Sequence, residues 1–156
     1  MNRIAVIQVR GGINIKRKVK DTLNLLRLYK KNSCTIINET PSFVGMLESI
    51  KEFITWGEID KDTFKLLMEK RGKLPGNQHL TEEYVKKSTN LNLDQFAEEF
   101  IAHKKELKDI PGLKQFFRLK PPVHGFENKG TKKPFSMGGA LGYRKNDINE
   151  LVRRML

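Results

Sequence analysis

Residues 3–10 open the chain with a nearly continuous apolar, β-branched run that stops at Gly11 and Gly12. A short apolar run bounded by glycines predicts a buried central strand. The period then changes. Ile15, Val19, Leu23 and Leu26 recur at helical spacing and predict a helix over 15–31 with one apolar face. Lys16, Lys20, Arg27 and Lys31 fall in one stripe beside that face. Asn32 and Ser33 stop the helix, and residues 34–38 read as a second strand. Thr40 is placed to cap a second helix whose first position, Pro41, has no N–H to leave unpaired. Phe43, Met46, Leu47, Ile50 and Ile54 keep helical spacing, so this helix is expected to pack on the sheet and to end at Trp56 and Gly57. Gly45 is costly inside a helix. Its presence points to a close backbone approach, by a strand or by a partner.

Residues 58–110 read as a separate helical unit. Phe64, Leu67 and Met68 belong to a short helix closed by Gly72. Thr81 caps the next, with Leu80 and Val85 as a hydrophobic staple. Asn92 and Gln95 form a capping box, after which Phe96, Phe100, Ile101 and Leu107 make an apolar face. Pro111 and Gly112 break it. Residues 116–119 predict a third strand, closed by Pro121 and Pro122. Residues 123–146 have little periodicity. Asp147 and Glu150 form a last capping box, and Ile148, Leu151, Val152 and Met155 give a final amphipathic helix. The order implies an α+β sandwich with helices on one sheet face and the other face free for a partner. The expected organisation is a core of residues 1–57 and 111–156, with a helical insertion over 58–110.

Charge sharpens this picture. The 156 residues carry 30 Lys and Arg against 18 Asp and Glu, a net +12. Residues 1–31 have net charge +8, residues 32–110 net −3, and residues 111–156 net +7. A merely soluble surface mixes both signs. Basic ends that meet in the fold make one positive face with an acidic back, and a domain this basic usually has a polyanion as partner. Ends that stay apart are separate solvated surfaces. No apolar run is long enough for a membrane span, which needs about 20 residues, and nothing at the N-terminus reads as an export leader. The single Cys34 excludes an internal disulfide and a cysteine-ligated zinc site. A cytoplasmic protein is expected.

Catalytic chemistry finds little support. His79, His103 and His124 are far apart and outside any metal motif. Cys34 starts a strand, where a small buried hydrophobe is the ordinary role. The carboxylates cluster in residues 58–110 at helix starts and polar faces, where capping and solvation account for them. Gly138, Gly139 and Gly142 match neither a phosphate loop nor a dinucleotide fingerprint. They form either a flexible turn or a backbone surface that lies against a sugar-phosphate chain. The second reading draws on Lys132, Lys133, Arg144 and Lys145 beside them. Phe126, Phe135 and Tyr143 interleave with Lys129 and these cations, as aromatic stacking on unpaired RNA bases requires. Phe126 is expected to anchor the loop to the core instead. His124 is placed either to meet a phosphate or base, or to stabilise its turn.

These residues resemble a known family, the archaeal form of the large-subunit ribosomal protein L-thirty, related to eukaryotic L-seven. The resemblance is carried by Ile7-Gln8-Val9-Arg10-Gly11 with the basic helix through Thr22 and Leu28, and by Glu39-Thr40-Pro41-Ser42-Phe43-Val44-Gly45-Met46-Leu47. It continues from Tyr84 to Leu113, through Phe117 to Gly125, and through Gly138 to Arg144, then in Ile148, Asn149 and the run from Leu151 to Met155. It covers essentially the whole chain. A start almost at the first strand points to the archaeal form. The resemblance implies a ferredoxin-like β-α-β-α-β core with a small antiparallel sheet, a helical insertion, and a basic C-terminal loop and helix. It implies a non-catalytic constituent of the large ribosomal subunit. The implied partners are large-subunit ribosomal RNA, with 5S RNA a candidate, and neighbouring ribosomal proteins, with no cofactor and no metal. The residues expected to meet RNA are Arg10, Gly11, Lys16, Arg17, Lys20 and Arg27 on one side. Lys120, His124, Lys129, Lys132, Lys133, Arg144, Lys145, Arg153 and Arg154 are expected on the other. The alternative is an RNA-processing or RNA-modifying enzyme with an unrecognised site.

Overall fold

The structure is a computed structural model that describes residues 2–156. Strand β1 (Arg3–Gln8) is central and buried at every position. On one side it pairs antiparallel with β2 (Ser33–Asn38), and on the other with β3 (Ile54–Glu58). Two-residue strands extend both edges: β4 (Phe117–Arg118) lies antiparallel to β2, and β5 (Gly142–Tyr143) lies parallel to β3. The sheet order is β4-β2-β1-β3-β5. The fold is α+β, with the expected antiparallel core strands and one parallel strand added at an edge.

Helices α1 (Arg17–Leu25) and α2 (Pro41–Ser49) cover one face. Leu23, Leu26, Leu47 and Ile50 pack there on Ile4, Val6, Ile54 and Trp56. The opposite face is covered as well, which corrects the expectation of a free one. α3 (Lys61–Arg71), α4 (Glu82–Thr89), α5 (Leu93–Ile101) and α6 (Ile148–Met155) form that second layer. One buried cluster joins Ala5, Ile7, Cys34 and Ile36 of the sheet to Phe64, Phe96, Phe100 and Leu151. Phe64 and Phe100 stack at 4.3 Å. Both parities of β1 are apolar, and a strand with that pattern needs cover on both sides.

Two helix ends and one cap differ from expectation. The residues expected to finish the second helix form β3 instead. Ile50 and Ile54 sit at helical spacing, but Ile54 and Trp56 also alternate with Thr55 and Gly57, and sheet pairing decides between the two periods. Gly57 permits this arrangement, because a Cβ there would lie 2.0 Å from the Lys145 carbonyl oxygen. The first helix stops at Leu25, and Arg27 takes a left-handed φ of 60°. Its basic stripe is therefore cut after Lys20, and Arg27 and Lys31 lie on the returning chain. Asp147 makes no side-chain cap for α6. The caps at Thr40, Thr81 and Asn92 form as expected. Gly45 meets nothing within 4 Å of its Cβ position, so no strand of this chain makes the close approach.

Candidate nucleic-acid interface

Sheet pairing brings four connections to one end of the molecule. β1 finishes there beside the start of β2, since Ile7 faces Cys34. β3 starts there opposite Gln8. β4 leaves there, with the Leu119 N–H bonded to the Asn32 carbonyl. The chain returns there into β5. The segments that turn at this end are residues 9–16, 28–32, 50–53 and 119–141. The first, second and fourth hold Arg10, Gly11, Lys16, Lys30, Lys31, Lys120, Lys129, Lys132 and Lys133.

The C-terminal tract is folded onto this end by apolar and backbone contacts. Val9 is buried with Ala140 and Leu141, and Phe126 packs on them. Phe126 is the loop anchor that its position suggested. The loop also closes on itself: Ala140 N–H bonds to Gly130 O, Leu141 N–H to Lys133 O, and Lys129 N–H to Gly138 O. Gly139 is buried, and a Cβ there would lie 2.1 Å from the Lys133 carbonyl oxygen. Close packing within the loop explains this glycine. Lys120 N–H bonds to Met155 O and Val123 N–H to Arg154 O, so the end of α6 joins the same region.

The exposed cations divide into two groups. Lys16, Lys20, Lys120, Lys129, Lys132 and Lys133 are exposed, and among the described residues none pairs with a carboxylate. Arg17 makes one open contact with Asp21 at 4.0 Å. Arg10 is half-buried over the Phe53 ring and donates to the Glu52 carbonyl. Arg27 donates to the Gln115 side chain beside the β2 edge. His124 is exposed in a left-handed turn of φ 61°.

Arg144 departs from the surface role expected of it. Its side chain is 2% exposed and pairs with Glu127, while Nε donates to Thr55 Oγ1 at 2.7 Å and Nη2 to Ala140 O at 2.8 Å. Its guanidinium lies 4.6 Å from the Phe135 ring centroid. This is a buried, bidentate pair that ties the loop to β3. Burial alone would raise the Glu127 carboxyl. The hydrogen bond from Arg144, a backbone bond, and the charges of Arg144 and Arg154 outweigh it and hold the group below its usual range. Arg154 is half-buried and donates to Gly125 O. Arg153 reaches Thr63 from the far layer. Lys145 follows β5, with its carbonyl oxygen over Gly57. Tyr143 is 46% exposed, and its hydroxyl donates to Glu58. That bond pushes its pKa up to about 12.

Lys30, Lys31 and Arg118 share this end and were not among the expected residues. For Arg118 only the pairing of β4 with β2 shows it, because it sits opposite Ser33 across 85 positions of chain. Cys34 is buried and its thiol is pushed up to about 12 by desolvation, the inert role its strand position suggests.

Fold and charge together define a small α+β protein with a cationic sheet end, and with the lysines Lys61 and Lys65 of α3 paired to Glu98 and Asp94. Residues 4–54 match the ribosomal protein L30p/L7e family. Over 152 residues the chain is 46% identical to large ribosomal subunit protein uL30 of Methanococcus maripaludis strain C5, covering 97% of this chain and 98% of that one. It is 45% identical to the uL30 of Methanopyrus kandleri over 95% of this chain and 100% of the relative. It is 43% identical to that of Nanoarchaeum equitans over 97% of each. The chain belongs to the uL30 family of large ribosomal subunit proteins. The two motifs that carried the resemblance, at 7–11 and 39–47, both fall inside the matched 4–54 segment.

Proposed function

We propose that this protein is a structural constituent of the large ribosomal subunit and that it binds ribosomal RNA through the sheet end where its basic segments turn. The observation that carries the reading is the convergence of cations without carboxylate partners, from both chain ends, on one end of one sheet. Phosphate neutralisation by such groups releases counterions and supplies most of the affinity. Lys16, Arg17, Lys20, Lys120, Lys129, Lys132 and Lys133 are the side chains we assign to phosphate contact, with Arg10, Gly11 and His124 at the same rim. Arg27, Lys145, Arg153 and Arg154 are assigned to its flanks. Arg144 acts by holding the loop in place.

The 58–110 segment enters between β3 and β4, and we read it as an insertion into a core of residues 1–57 and 111–156. It thickens the body behind the sheet and offers a surface to neighbouring ribosomal proteins. The role is non-catalytic, and the protein acts on the ribosome. The test is sedimentation with purified large subunits in rising salt, run beside an RNA-turnover assay. The expected result is migration with the subunit that salt weakens, and intact RNA. Absence from the subunit at low salt, or turnover of RNA by the pure chain, contradicts it.

A further inference from the structure

A cleft of about 270 Å3 opens beside this end, between the chain leaving α1, the β4 edge and the segment after α3. Tyr29 stands at it, 54% exposed, held edge-to-face by Phe116 at 5.4 Å and 84°. Lys30, Arg71, Lys73, Lys114 and Arg118 line it, and no carboxylate side chain does. Among the described residues none of these five cations pairs with an Asp or Glu side chain. Arg71 donates Nη2 to the Leu156 main-chain oxygen, but its Nε is buried without an acceptor. Lys73 reaches only Asn77 Oδ1, at 3.1 Å. Cations around a concave wall with no carboxylate side chain raise the local positive potential and favour an anion there.

We propose that this cleft takes one unstacked nucleotide of the bound RNA, its base lying on Tyr29 and its phosphates against the surrounding cations. The inference rests on the ribosomal-RNA reading and adds a specific subsite to it. The chemistry follows from the two kinds of group present. An exposed ring fixed by a neighbour offers a flat apolar platform without further loss of side-chain freedom, and splayed RNA bases use such platforms. Cations flanking an aromatic ring match the two halves of a nucleotide. The volume lies just below the range typical of drug-sized ligands, about 300 Å3 upward, so it suits a single nucleotide rather than a helix.

The experiment binds the full chain to purified large-subunit ribosomal RNA, irradiates the complex with ultraviolet light and maps nucleotide adducts by mass spectrometry. An adduct on Tyr29 or Phe116 is expected. Tyr29→Ala should weaken binding by roughly fivefold or more at an unchanged salt slope, and Tyr29→Phe should restore it, because the ring stacks and carries no charge. Lys73→Ala with Lys114→Ala should instead shallow the slope by roughly one to two units. If the wild-type chain binds but Tyr29→Ala binds equally well and neither ring carries an adduct, the subsite is overturned and the ribosomal reading stands. If the wild-type chain does not bind this RNA, both fall.

Discussion

Lys61 and Lys65 on α3 face Glu98 and Asp94 at 2.5 and 2.6 Å. Lys132 and Lys133 face no carboxylate among the described residues. All four are lysines on the surface of one small protein, yet they belong to different electrostatic regimes. On α3 the hydrogen bonds to Glu98 and Asp94 raise the lysines and lower Asp94, so the charges are largely satisfied within the chain. At the sheet end the charge is left for a partner. Arg144 is a third case, a cation in the basic loop that is fully used inside the protein. Net charge along the chain therefore overstates the interface, because it counts cations such as Arg144 that are used inside the protein.

The sharpest way to break this comparison is at Arg144. Arg144→Ala leaves the Glu127 carboxylate without its main partner, and breaking a buried pair costs about 3–5 kcal/mol. Urea unfolding checks it, and a loss well under 1 kcal/mol would return Arg144 to the surface group. The same pair sets a pH dependence. The Glu127 carboxyl is held below its ordinary value of 4.5 in the folded state. Its contribution is then fully present above that value and fades as pH falls through the lower folded value. Unfolding measured from pH 6 downward should show an acid loss that Arg144→Ala flattens.

A smaller effect is expected at the loop lysines. Lys132→Ala with Lys133→Ala should leave stability near wild type and shallow the salt slope of RNA binding by roughly one to two units. The smallest effect belongs to the back of the molecule. Lys61→Ala with Lys65→Ala removes the same formal charge and should leave that slope unchanged. Equal slopes for the two double variants would dissolve the distinction between paired and unpaired cations.

Much of the fold was legible in the chain. The caps at Thr40 and Thr81 are local signals that local hydrogen bonds fulfil, and the apolar run from residue 3 forms the buried strand its composition indicates. β3 was hidden because Ile54 continues the helical spacing from Ile50 and also starts the strand alternation with Trp56, and only its neighbours in the sheet resolve the period. The cover on the second face depends on contacts such as Arg3 with Phe100, 97 positions apart, which no window of sequence contains. For the interface, sign and segment were readable. Which cations were free was not, since Glu127 lies 17 positions from Arg144 and pairs with it only once the loop closes.

The central claim is that large-subunit RNA meets the sheet end formed by segments within residues 9–32 and by residues 119–141. Crosslinking the protein within intact large subunits and mapping the attached peptides tests this directly. Adducts should concentrate in those two segments, with Lys61, Lys65 and helices α4 and α5 free of RNA. RNA attached mainly to α4 and α5, with the sheet end bare, would contradict it.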